Sequence, residues 1–202
     1  MKTEDITLEY YEKNADAFFE GTVSADMTYA RERFLAKLPG KAYLLDLGCG
    51  SGRDALAFLR EGFQVSAADG SEEMCRQARA LTGLPVRCME FSELSEKEVY
   101  DGIWVCASIL HLPKNELSVV IGKIAEALRQ GGIFYTCFKH GTGEELRGGR
   151  YYTDFTPEGL REFVASEKGL EVREIWMSED VLPGREPVRW VNLLAEKAEG
   201  AR

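Results

Sequence analysis

Apolar residues recur along this chain in two rhythms. At 43–48, 64–69, 85–90, 100–108 and 132–139 they fall in short runs bounded by glycine or turn residues. Such runs predict strands, and the almost wholly apolar stretch 100–108 predicts one covered on both faces. Over 52–62, 71–83 and 115–132 the apolar positions return every three or four residues, which predicts helices. Punctuation agrees with the rhythm: Ser71 opens the second of these helices, Gly62 and Gly83 close the first two, and Gly131 with Gly132 stops the third. Thr156 followed by Pro157 starts a helix running to about 166. Residues 5–20 and 26–37 predict two helices ahead of the first strand. The runs 170–179 and 189–197 predict two last strands with no helix between them.

Strands that alternate with helices build a parallel sheet through right-handed crossovers. The last two runs leave no room for a crossover helix, so the final strand should be antiparallel to its neighbour. The expected fold class is α/β: a Rossmann-like, doubly wound, mostly parallel seven-stranded sheet with an antiparallel last strand and helices on both faces. With 202 residues, no internal repeat and no linker, one domain over 1–202 is expected. Two stretches, 139–156 and 178–189, read as irregular. A long structureless segment is often functional, which marks both as substrate-side loops.

Charge narrows the partners. The formal net charge is −9 and the isoelectric point is near 4.9. Such a surface repels phosphate backbones, which argues against nucleic acid as a partner. The five cysteines Cys49, Cys75, Cys88, Cys106 and Cys137 include no Cys-x-x-Cys pair, and there are only two histidines. That is the pattern of small core residues in a reducing compartment, with no metal site expected. The N-terminal segment is acidic and amphipathic, unlike a signal or transit peptide. No apolar run approaches the ~18 residues that would cross a bilayer. The expectation is a cytoplasmic protein without a membrane partner.

Candidate chemistry concentrates in LLDLGCGSG, residues 44–52. Ligands of open parallel sheets bind beyond the carboxyl ends of the strands, and the first strand ends here. Gly48, Gly50 and Gly52 let the backbone turn tightly and lie against a ligand. The helix opening at Arg53 points its free amides the same way. A phosphate-binding P-loop is excluded because no lysine follows the glycines. The dinucleotide fingerprint needs a third glycine where Arg53 stands, and Asp46 would sit poorly beside a pyrophosphate. The remaining ligand tolerates a nearby carboxylate: one carrying an amino group and a cationic sulfonium.

The stretch LLDLGCGSGRDA resembles the first motif of class I S-adenosylmethionine-dependent methyltransferases. VSAADGSEEM resembles their second motif, RCMEFSEL the third-strand element, YDGIWVCASILHLP the fourth strand and ALRQGGIFYTCFK the fifth. The likeness covers most of the chain and is nearest to small bacterial enzymes of the tellurite-resistance and ubiquinone-biosynthesis types. It implies S-adenosyl-L-methionine as cofactor and S-adenosyl-L-homocysteine as product. It also implies a cofactor site made of Gly48, Cys49, Gly50, Arg53, Asp69, Gly70, Ser71, Met74, Glu90, Phe91 and Ala107. Asp69, about 20 residues beyond Gly50, would accept from both ribose hydroxyls. Glu90 stands where the family usually has aspartate, accepting from the adenine amino group, with the Phe91 amide meeting a ring nitrogen. Asp46 would orient the loop or meet the amino group of the methionine moiety. Met74 would cover an adenine face or pack in the core. Residues 1–37 resemble a helical lid, with Tyr11 the preferred contact there. Arg33 would reach the cofactor carboxylate or remain a solvated charge.

Methyl transfer from a sulfonium needs alignment more than chemistry from the protein, and orientation alone can supply ~7–11 kcal/mol. Ala107 and Ser108, ending the fourth strand, should lie beside the transferring methyl. His111 follows where relatives place a histidine; it would act as the base or shape the floor, with His140 as second candidate. Lys139, Arg147, Arg150, Tyr151 and Tyr152 would form a cationic, aromatic rim for an anionic or aromatic small molecule. The expected activity is methyl transfer to a small-molecule acceptor. A tRNA-base methyltransferase and a non-catalytic cofactor-binding subunit are the competing readings. Neither the acceptor nor the oligomeric state is legible in the sequence.

Overall fold

The structure, a computed structural model, describes residues 3–182, 184, 188–198 and 200. Strands β1 (Tyr43–Leu47), β2 (Gln64–Asp69), β3 (Arg87–Cys88), β4 (Tyr100–Val105), β5 (Leu128–Lys139), β8 (Leu170–Glu179) and β9 (Arg189–Lys197) form one sheet, in the order β3-β2-β1-β4-β5-β9-β8. The first five run parallel, and β9 is antiparallel to both β5 and β8. The seven strands and the antiparallel last strand are therefore as the sequence predicts.

Helices α1 (Thr3–Thr22), α2 (Thr28–Leu35), α3 (Arg53–Arg60), α4 (Glu72–Thr82), α5 (Lys114–Ala127) and α6 (Pro157–Ser166) surround the sheet. The central strands β1, β4, β5 and β9 are largely buried on both faces, and their period-2 alternation divides the core in two. Leu45, Leu47, Ile103, Val105, Phe134 and Phe138 face one way, against α5 and α6. Leu44, Trp104, Ile133, Tyr135 and Cys137 face the other, against Phe34 of α2 and Phe58 of α3.

Three boundaries differ from expectation. The third strand shrinks from 85–90 to two residues, because only Arg87 and Cys88 find partners on β2. The helix expected over 115–132 ends at Ala127, and β5 starts at once: Leu128 pairs with Tyr100 before a register shift carries the strand to Ile133 opposite Gly102. Strand pairing thus captures residues whose apolar spacing would have continued a helix. The stretch 139–156, read as irregular, contains an antiparallel hairpin of β6 (Glu144–Arg147) and β7 (Arg150–Thr153). It is joined by Gly148 and Gly149 at φ +55° and +80°, the left-handed pair that a two-residue hairpin turn requires. Residues 183 and 185–187 of the expected loop 178–189 lie outside the described residues.

Candidate active site

Beyond the carboxyl ends of β1, β2, β4 and β5 lies a cleft of about 210 Å3, roofed by α1 and flanked by the hairpin. Its floor begins with the turn after β1. Gly48 has φ +73°, and a Cβ there would lie 2.3 Å from the Cβ of Ser108. Only glycine fits. Gly50 and Gly52 are also left-handed. Gly52, the N-cap of α3, has no side chain to offer the helix amides, and Asp46 supplies one from the end of β1: its carboxylate accepts from the Ala55 amide at 3.0 Å. The bond gives Asp46 a capping role at the start of α3, and Asp46 also lines the cleft. Burial, then the charge of Asp54, pushes the Asp46 carboxyl well up.

Asp69 closes the other side of the turn. Its carboxylate accepts from the Gly50 amide at 2.8 Å and the Ser71 amide at 3.0 Å. Burial pushes its carboxyl up against these bonds. Two strands that never pair through these residues are thereby joined at their tips. Ser71 is fully buried and caps α4 through the Met74 amide; it does not line the cleft, whereas Gly70 and Met74 do. Glu90 and Phe91 line the adjacent edge, and the Glu90 side chain is occupied in capping its own 3-10 turn with Glu93. Ala107 lines the cleft at φ +52°, a conformation costly for a residue with a Cβ and typical of functional sites.

Arg53 reaches across the floor. It forms a two-pronged pair with Asp54 at 3.1 and 2.6 Å and touches the Cys106 sulfur at 3.8 Å. Asp54 also accepts from Arg31 at 2.9 Å and from the Trp104 indole at 3.0 Å. Burial alone would raise the Asp54 carboxyl, but the Arg53 and Arg31 guanidiniums outweigh it and hold it below its usual range.

His111 is buried at the acceptor end. Its Nδ1 lies 2.6 Å from the Tyr151 carbonyl and its Nε2 2.9 Å from the Tyr11 hydroxyl. A carbonyl can only accept, so Nδ1 carries the proton and Nε2 accepts from Tyr11. Burial lowers the imidazole to about 3, with the Tyr151 bond opposing and Arg150, Lys139 and Arg147 assisting. The ring is neutral at physiological pH. Arg150 donates to the Tyr11 oxygen at 3.3 Å, and its guanidinium lies 4.6 Å over Tyr10 and 5.4 Å over Tyr152. Lys139 stands 4.2 Å over the Tyr152 ring. Tyr11 thus ties α1 to the floor and to the hairpin.

Besides Ser71, four expected residues fall outside the cleft lining, one of them Tyr151, whose hydroxyl turns to Glu144 at 3.2 Å. Arg33 binds Glu174 at 2.6 Å and covers Trp176 on the far side of α2, away from the cleft. His140 is exposed and outside the cleft, its backbone bridging to Phe155. Arg147 is turned to Asp154 at 2.5 Å. The cleft also includes residues that sequence reasoning passed over: Phe18 on α1, Leu110, Cys106, Cys137, Trp190 and Asn192. The cysteines carried a signal, since Cys106 follows β4 directly and Cys137 lies near the carboxyl end of β5, where such folds bind ligands.

Residues 44–132 match a family model described as a methyltransferase domain. YqeM of Bacillus subtilis (strain 168), a protein named as a methyltransferase, is 29% identical over 106 residues, covering 48% of this chain and 42% of that protein. The chain spans less than half the length of the curated relatives it matches. Among solved structures, the Burkholderia thailandensis 1,6-didemethyltoxoflavin-N1-methyltransferase, with 1,6-didemethyltoxoflavin and S-adenosylhomocysteine bound, superposes with a TM-score of 0.77 at 22% identity, over 98% of this chain and 87% of that one. Magnesium protoporphyrin IX methyltransferase from Synechocystis PCC 6803, with S-adenosylmethionine bound, gives 0.74 at 16% identity over 98% of both chains. At such identities the likeness is one of fold. Residues 44–132 are thus similar to a methyltransferase domain, and the chain as a whole shares the fold of these solved structures.

Proposed function

We propose that this protein is an S-adenosylmethionine-dependent methyltransferase that transfers a methyl group to a small-molecule acceptor by in-line displacement. The observation that carries the reading is the carboxylate of Asp69 at the tip of β2, tied to the Gly50 amide of the β1 turn. A carboxylate has about four acceptor positions, and the Gly50 and Ser71 amides leave capacity for a pair of ribose hydroxyls. At Gly50 the Cβ side is open to the cleft, with no atom nearer than Phe18 at 3.5 Å, while Gly48 packs against Ser108 and Gly70 against Leu8.

When bound, the cofactor supplies a methyl group already activated on a cationic sulfur. The chain's own residues then bind, orient and dry the site. Asp46 and Asp69 fix the loop. Tyr11 and Phe18 of α1 cover the cleft and exclude water. Arg150, Lys139 and Tyr152 give the acceptor end positive charge and ring faces, which suits an anionic, conjugated small molecule. The two similar solved enzymes are named for 1,6-didemethyltoxoflavin and magnesium protoporphyrin IX, both conjugated ring systems, which favours a conjugated acceptor. The net charge of −9 argues against nucleic acid. Among the described residues no helix is long and apolar enough to cross a membrane, and a cytoplasmic site of action is part of the proposal.

For His111 to take a proton from the acceptor, Nε2 must first lose the Tyr11 hydroxyl. Deprotonation is therefore coupled to the position of α1. Calorimetric titration with S-adenosylhomocysteine tests the cofactor assignment, with NAD as control. Wild type should bind with roughly micromolar affinity and Asp69→Ala at least tenfold more weakly, the worth of one charged hydrogen bond at ~1.5–3 kcal/mol. Equal affinity in the variant, or binding of NAD, would overturn the assignment.

A further inference from the structure

Two thiols lie side by side on the cleft floor. β4 and β5 pair in parallel, with Trp104 opposite Tyr135 and Val105 opposite Thr136. Continuing the register by one residue sets Cys106 opposite Cys137. Strand alternation puts that pair on the same face as the Trp104–Tyr135 pair, whose rings stack at 3.9 Å. Both cysteines line the cleft, and both are free thiols. Neighbouring strands lie roughly 4.7–4.9 Å apart, inside the ~4.4–6.8 Å Cα separation that a disulfide accepts. The neighbouring Cys106 thiol lowers the Cys137 thiol from its ordinary value, against the effect of burial. The Arg53 guanidinium stands 3.8 Å from the Cys106 sulfur. A thiolate among donors and a cation is the form of cysteine that peroxide attacks.

We propose that Cys106 and Cys137 are an oxidisable dithiol built into the cleft floor, converted by hydrogen peroxide to a cross-strand disulfide that hinders cofactor binding. The Cys137 thiolate attacks peroxide, breaking the O–O bond to give a sulfenic acid and hydroxide. The Cys106 sulfur then attacks the sulfenic sulfur and expels its oxygen as water. In total two thiols and one peroxide give one disulfide and two waters. Forming the bond brings the sulfurs to about 2.05 Å and draws Cys106 away from Arg53. Ala107, already at φ +52°, and Ser108, pressed against Gly48, follow directly in the chain. The strain therefore reaches the turn that cradles the ligand.

The consequence for binding rests on the cofactor reading above; the linkage itself does not. Reduced protein would be treated with peroxide, quenched with catalase, alkylated, digested and mapped by mass spectrometry. The expected product is a peptide pair joining Cys106 to Cys137, reversed by dithiothreitol, absent in Cys106→Ser and retained in Cys88→Ser. Full alkylation of both residues, their separate over-oxidation, or a link between Cys75 and Cys88 instead would overturn the proposal. In calorimetry the linked form should bind S-adenosylhomocysteine at least fivefold more weakly than the reduced form. Equal affinity of the two forms would overturn the binding consequence. Absence of binding by reduced wild type would count against the cofactor assignment, while the peptide map still decides the dithiol.

Discussion

Asp54 shows how much a single side chain can hold. It is 4% exposed and accepts from Arg53, Arg31 and Trp104, so it joins the cleft floor to α2 and to the middle of the sheet. Removing one partner of a buried ionic cluster leaves the others desolvated and unpaired, at ~3–5 kcal/mol. Asp54→Ala should lose about that much stability in urea unfolding; a loss under 1 kcal/mol would show that the two arginines find water instead. The sequence made the place of Asp69 legible because that depends on spacing alone: an acid at a strand end, a fixed distance from a glycine turn. Asp54 and Arg33 were opaque for the opposite reason. Beside a near neighbour, Arg53 for Asp54 and Tyr29 for Arg33, each has partners far along the chain, Arg31 and Trp104 for the one and Glu174 for the other, that nothing local names.

At the scale of elements, α1 and the hairpin of β6 and β7 act on the cleft together. The Tyr151 amide donates to Thr7 at 3.1 Å, Arg150 donates to Tyr11, and Tyr11 donates to His111. Tyr11→Phe keeps the ring, which packs edge-on against Phe18 at 5.0 Å, and deletes only the hydroxyl. A hydrogen bond of this kind contributes ~0.5–1.5 kcal/mol net. Amide hydrogen exchange should therefore quicken by up to about tenfold over residues 7–18, with β1, β4 and β5 unchanged. Equal protection throughout would mean that α1 is held by packing alone. The hairpin itself escaped sequence reading, although Gly148–Gly149 between two arginines is a known two-residue turn signal. Its strands lack an alternating apolar face, since Glu144, Glu145 and Leu146 are all exposed, so periodicity had nothing to detect. The early end of α5 was hidden differently. Leu128 continues the helical spacing, and only its pairing with Tyr100 on β4 makes it strand.

Over the whole molecule, what was legible was what repeats: seven strands, their alternation with helices, and the reversal of the last strand. What was not legible was the burial of His111, and that burial sets the protonation of the acceptor end. The His111 imidazole, lowered to about 3, has an ordinary value near 6.5. The unfolded chain therefore binds a proton there between about pH 6.5 and 3 that the folded chain refuses. Where the unfolded state holds more protons, stability rises with pH. The contribution of His111 is thus fully present above about pH 6.5 and is lost as pH falls through that window, by ~2 kcal/mol between pH 7 and 5. Asp54, held low by its arginines, acts in the same direction, while Asp46 and Asp69, held high, act in the opposite one. Wild type alone cannot separate these groups, but the difference from His111→Gln can, because the carboxylates are common to both. Urea midpoints at pH 7 and pH 5 should show wild type losing about 2 kcal/mol more than the variant. Parallel losses would mean that the imidazole protonates in place, with Tyr11 released and α1 lifted from the cleft, and hydrogen exchange over residues 7–18 at pH 5 would show that opening directly.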